Sequence, residues 1–145
     1  MQSTCENIYF LYRKGAGIKS REKASELLGI SKRSLDDYEA GVTIPSDEVV
    51  DKMIKVYGSK KLGYLHQKHS SKIGRKYLPD IYQVSIQELM LKLHSDVVQL
   101  NKILDDLLEV ASDGIITAEE KPTWEKGKEI SRRVAASTLT LAYEL

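Results

Sequence analysis

The twenty-two residues from Ser20 to Gly41, SREKASELLGISKRSLDDYEAG, constrain this chain more than any other stretch of it. Ser20 and Ser31 each precede a short segment of helical pattern, where a hydroxyl can accept a bond from a free backbone N–H of the first turn. Gly29 separates the two segments and Gly41 closes the second; glycine tolerates the left-handed backbone at which helices commonly stop. Helices joined only by Gly29-Ile30-Ser31 must turn sharply, so Ile30 and Leu35 are expected to tuck beneath the turn.

The same punctuation continues on both sides. Asn7 to Lys14 carries Ile8, Leu11 and Tyr12 on one helical face and ends at Gly15. After Pro45, Ser46 can cap a fourth helix with Val49, Val50, Met53, Ile54 and Tyr57 at helical spacing before Gly58. Four short helices are thus expected in fewer than 60 residues. No strand alternation persists anywhere, and the expected class is all-α.

Over all 22 positions the central stretch resembles, without a gap, the helix-turn-helix of the Cro/C1-type (Xre) repressor family. The likeness rests on Ala24, Leu28, Gly29-Ile30-Ser31, Leu35, Tyr38, Glu39 and Gly41, and continues at Pro45-Ser46. It implies an N-terminal lambda-repressor-like DNA-binding domain over residues 1–58, with the third helix in the major groove. The loop Gly15 to Lys19 is one residue longer than the family's usual connection. Arg13 with Glu39 matches a pair that is structural in the family. By the same resemblance Lys32, Arg33, Ser34 and Asp37 reach base edges or nearby phosphates, Arg21 touches phosphate, and Thr43 joins them from the loop after the third helix. A fainter similarity, to the acidic helical tails of phage and mobile-element regulators, rests on Asp113-Gly114 and Trp124.

The residue chemistry can be read independently of the family. Lys32, Arg33, Asp36 and Asp37 share one face of the third helix; lysine and arginine can read guanine, and a carboxylate can accept from cytosine N4. The four-residue pairs Lys32–Asp36 and Arg33–Asp37 also suit ordinary surface ion pairing. Bases at the start of a helix and acids toward its end oppose the helix dipole, however, which hints at an outside partner for those charges.

Charge is distributed unevenly along the chain. Residues 1–58 hold nine Lys/Arg and nine Asp/Glu; residues 59–79 hold six bases and no acid; residues 80–145 hold seven bases and twelve acids. Residues 59–80, broken by Gly63, Gly74 and Pro79, read as a basic connector with room for a short helix around Leu62–His69. Its Lys60, Lys61, Lys68, Lys72, Arg75 and Lys76 are expected to strengthen DNA binding by displacing counterions from phosphates. Beyond it, Ile86, Met90, Leu93, Val97, Leu100, Leu104, Leu107 and Ala111 form a 4–3 apolar seam. Thr117 with Glu120 gives a capping box before a last helix, with Pro122 at or near its start. Ile130, Val134, Leu141 and Leu145 extend an apolar face, and Trp124 reads as a packing anchor. Residues 81–145 are therefore expected to form a helical hairpin that builds a homodimer, and a place where a regulatory protein partner can act.

Other chemistry finds little support. His66 and His69 have metal-ligand spacing, but no cysteine or acid completes a four-ligand set, and Lys68 and Lys72 would repel a cation. Cys5 is the single cysteine, without an internal disulfide or an evident base partner. Asp105, Asp106 and Glu109 suit a solvated helix face, and Asp113-Gly114 lacks the spaced acids of a calcium loop. No cofactor, enzyme signature, secretory signal or membrane span is visible. The expected function is sequence-specific binding of double-stranded operator DNA by a cytoplasmic homodimeric regulator, repression being the expected sign. The alternative is a protein-interaction module, antirepressor- or antitoxin-like, which uses the same fold to bind another regulator.

Overall fold

The computed structural model describes residues 7–144, and these form eight α-helices without a strand. Cys5 and Leu145, both named above, lie outside the described residues. The chain divides into two compact units: one contains the residues up to Leu78 together with Tyr143 and Glu144, the other is Pro79–Ala142.

The first unit holds α1 (Ile8–Gly15), α2 (Arg21–Leu28), α3 (Lys32–Glu39), α4 (Asp47–Tyr57), α5 (Lys61–Ser70) and α6 (Lys72–Tyr77). Local chemistry sets most of these ends. The Asn7 side chain accepts from the N–H groups of Tyr9 and Phe10, Ser20 from Lys23, and Ser31 from Ser34. Gly29 adopts φ 65°, ψ 37°, the left-handed conformation that lets α2 stop and α3 begin three residues later. Gly15 stays helical, and Gly17, at φ 76°, makes the reversal expected there. The helices enclose Tyr9, Ala24, Leu28, Leu35, Val50, Met53, Tyr57 and Leu62.

Leu62 marks a correction. Residues 59–80 are more than a connector: a helix forms as α5 where the short one was expected around Leu62–His69, α6 follows it, and both belong to the first unit. Leu62 and Leu65 are buried, and the Tyr9 hydroxyl meets Nδ1 of buried His66 at 2.8 Å. Burial pushes the Tyr9 phenol up to about 12. Nε2 of His66 lies 3.1 Å from Asp47 Oδ1, so this ring ties α1, α4 and α5 together. Much of the basic run is used internally as well. Lys68 donates to the Leu78 carbonyl at 2.6 Å, and Arg75 to the His69 carbonyl at 2.5 Å. Lys61 is buried and pairs with Glu144 at 2.5 Å.

The second unit is built on α7 (Ile86–Val110) and α8 (Lys121–Ala142), joined by a short turn at Gly114. The expected capping box forms: the Thr117 N–H donates to Glu120 Oε2 at 2.9 Å and the Glu120 N–H to Thr117 Oγ1 at 3.3 Å. Pro122 then lies in the first turn of α8, where its missing N–H costs nothing. The buried row of α7 differs from the expected seam. Leu89, Asp96, Ile103 and Val110 are buried, with half-buried Leu93, Leu100 and Leu107 between them. That row also repeats at four and three, so the hairpin uses a seam turned to one side of the expected one. Ile86, Met90, Val97 and Leu104 stay exposed. Asp96 accepts from the Ser137 hydroxyl at 2.9 Å and pairs with Arg133 at 3.3 Å, a polar layer that fixes the register of the two helices.

Candidate nucleic-acid interface

Beneath the turn, Ala24, Leu28 and Leu35 are fully buried and hold α2 and α3 at a fixed angle. Behind them Arg13 and Glu39 form a buried two-pronged pair, Nε to Oε1 at 2.5 Å and Nη2 to Oε2 at 2.9 Å. The remaining arm of Arg13 donates to the carbonyls of Ile18 and Lys19 at 2.7 and 2.9 Å, stapling the α1–α2 loop. Burial pushes the Glu39 carboxyl up, but the hydrogen bonds and charges of Arg13 and Arg21 outweigh this and hold it below the usual range. The bond to Glu39 raises Arg13 in turn. This pair anchors α3 to α1, the role expected for it.

The residues expected at the interface fall into two groups. Arg21, Lys32 and Lys61 are tied to acids. Arg21 donates to Glu39 at 2.7 Å and lies 3.4 Å from Asp36, with nearly half of its side chain still exposed. Lys32 lies 3.3 Å from Glu22 and 3.5 Å from Asp36, and the bond to Glu22, then the charge of Asp36, raises its pKa. Lys61 is buried against Glu144, which withdraws it from a surface role. The others form no ion pair among the described residues. Arg33 is exposed on the first turn of α3 and has no ionic or hydrogen-bonded partner among the described residues. Ser34 shares a 2.8 Å bond with the capping hydroxyl of Ser31. Asp37 is half-buried, its carbonyl accepting from Val42 and Thr43, which places exposed Thr43 beside the end of α3. Lys60 is exposed at the entry to α5.

The structure adds two cations that the sequence reading missed. An open cleft of about 340 Å³ lies where the end of α1 meets the starts of α2 and α3, lined by Phe10, Arg13, Lys14, Lys19, Arg21, Glu22 and Lys32. Lys14 and Lys19 are exposed there, and neither side chain has an acidic partner among the described residues. Five cations and one carboxylate line it; Arg13 and Arg21 are paired with Glu39 and Lys32 with Glu22, which leaves Lys14 and Lys19 as the charges open to a phosphate. Lys14 in the last turn of α1 and Lys19 just before the Ser20 cap were visible in the sequence. Without the geometry of the loop, nothing said that they converge.

Residues 11–65 match the protein-family model described as Helix-turn-helix, the Cro/C1 type. The match runs from α1 into α5. The matched segment is a helix-turn-helix domain. No curated protein and no solved structure matches the chain significantly. Among the described residues no helix is long and apolar enough to cross a membrane.

Proposed function

We propose that the chain is a sequence-specific DNA-binding repressor that acts in the cytoplasm as a homodimer and performs no catalysis. The observation that carries this reading is the exposed, unpaired Arg33 on the first turn of α3, beside a cleft gathering Lys14, Lys19, Arg21 and Lys32. In this reading α3 enters the major groove. Arg33 reads a base edge, while Ser34, Asp37 and Thr43 contact bases or phosphates nearby. Arg21 and Lys32 keep part of their surface for phosphate, and the cleft and Lys60 hold the flanking backbone. Repression then follows from occupying a promoter, with the two copies on half-sites about one helical turn apart.

Selection of bound sequences from a random duplex library at near-physiological salt tests the proposal. A paired motif with half-sites about ten base pairs apart is expected. Arg33→Ala should relax the preference at one position per half-site and cost about 1–3 kcal/mol of specific affinity. The pairing of Lys32 and Arg21 with Glu22 and Asp36 favours a second reading, in which this self-neutralised face binds another regulator. Weak, steeply salt-dependent binding with no enriched sequence would select that reading instead.

A further inference from the structure

Along α7, one edge of the hairpin has no partner within its own unit. Ile86 (54% exposed), Met90 (46%), Val97 (38%), Leu104 (41%) and Leu108 (69%) lie beside the buried seam, within about 40° of one another around the helix. Their steps are four, seven, seven and four residues, so the row reads the same in both directions from Val97. A two-fold axis through Val97 would place Ile86 opposite Leu108, Met90 opposite Leu104, and Val97 opposite itself. The polar residues on the open side of the row, Gln87, His94, Asn101 and Asp105, include one carboxylate, which the two-fold keeps about 24 Å from its own copy. The row is about 33 Å long. Laid against its own copy, it removes on the order of 1,000 Å² from water, where specific interfaces begin.

We infer that this edge of α7 is an isologous interface with a second copy of the chain, the two α7 helices running antiparallel across Val97. The inference rests on the homodimer of the proposed function and specifies its surface. Antiparallel pairing follows from the spacing, because a symmetric row meets its reverse without leaving an apolar side chain unmatched. The leucines shared with the intramolecular seam, Leu93, Leu100 and Leu107, lie between the two contacts, so α7 packs on α8 with one side and on its copy with the other.

Cysteine cross-linking in a Cys5→Ser background, without DNA, tests both partner and direction. Val97→Cys should be cross-linked to itself by a short bifunctional maleimide. Met90→Cys alone and Leu104→Cys alone should not, because 14 residues of helix, about 21 Å, separate each from its own copy. A mixture of the last two should cross-link. Leu104→Glu should weaken the dimer at least tenfold in sedimentation velocity, and adding Met90→Lys should restore it by pairing across the axis. Circular dichroism should show an intact hairpin in each variant, since these side chains are exposed. A monomer at micromolar concentration, or self-linking of Met90→Cys, would overturn the inference. Paired half-sites without these cross-links would leave the DNA reading intact and reject this surface; cross-links without half-sites would do the reverse.

Discussion

Glu39 shows how one residue can serve a binding face without touching a ligand. Its carboxylate is fully buried and receives Arg13 from α1 and Arg21 from α2, so three of the helices that define the interface meet on it. Replacing a buried pair with apolar groups can be harmless, whereas removing one member strands the other. Glu39→Gln is therefore expected to destabilise the first unit by about 3 kcal/mol, read as a lower midpoint in urea unfolding. The pH dependence follows from the direction of the shift. The folded pKa lies below the ordinary value of 4.5, so the contribution of Glu39 is fully present above about pH 4.5 and disappears as pH falls through the depressed folded value. The wild type should lose stability across that acid window more steeply than Glu39→Gln. Equal slopes would show that other carboxylates govern acid unfolding.

At the scale of elements, what the sequence revealed and what it hid follow from two uses of glycine. Gly29 ends a helix, as its place between capped segments suggests, and the order α1 to α4 was legible for that reason. Gly63 and Gly74 read as punctuation of the connector, Gly63 within the short helix expected there, but they sit inside α5 and α6. A Cβ on Gly63 would come within 2.9 Å of Ile54 Cδ1, and one on Gly74 within 2.3 Å of the Gln67 carbonyl. These glycines permit close packing, which a single sequence cannot distinguish from chain reversal. The basic run misled similarly: Lys61 and Lys68 bury long stems and satisfy their ammonium groups at the tips, which composition alone reads as a solvated linker. In α7 two 4–3 rows overlap at Leu93, Leu100 and Leu107, and periodicity favoured the row without a polar member. The hairpin uses the one containing Asp96, because Ser137 and Arg133 satisfy that carboxylate. Gly74→Ala offers a direct check. Its methyl group meets backbone oxygen rather than a movable side chain, so a loss of about 1–3 kcal/mol is expected, despite alanine's higher helix propensity. A neutral result in thermal unfolding would mean that α6 is free to move away from the end of α5.

For the molecule as a whole, a net charge of +1 gives little sign of a polyanion partner, yet binding depends on where the unneutralised charges lie. Six bases in residues 59–79 suggested that segment as the main source of attraction, but Lys61, Lys68 and Arg75 have partners within the fold. Lys14 and Lys19, from the part of the chain with zero net charge, stand open in the cleft beside α2 and α3. The two assignments predict different salt dependence. Each phosphate neutralised contributes a slope of about −0.9 in log affinity against log salt. Replacing Lys14 and Lys19 with alanine should therefore make the slope shallower by about 1.8 while leaving the preferred sequence unchanged. Lys61→Gln should leave the slope as it is and lower stability instead, because its ammonium already faces Glu144. Fluorescence anisotropy on one duplex between 50 and 200 mM salt, with an unfolding curve for each variant, measures both quantities. A slope that changes with Lys61 and not with Lys14 and Lys19 would return the electrostatic attraction to the α5–α6 segment and leave the cleft without a role in DNA binding.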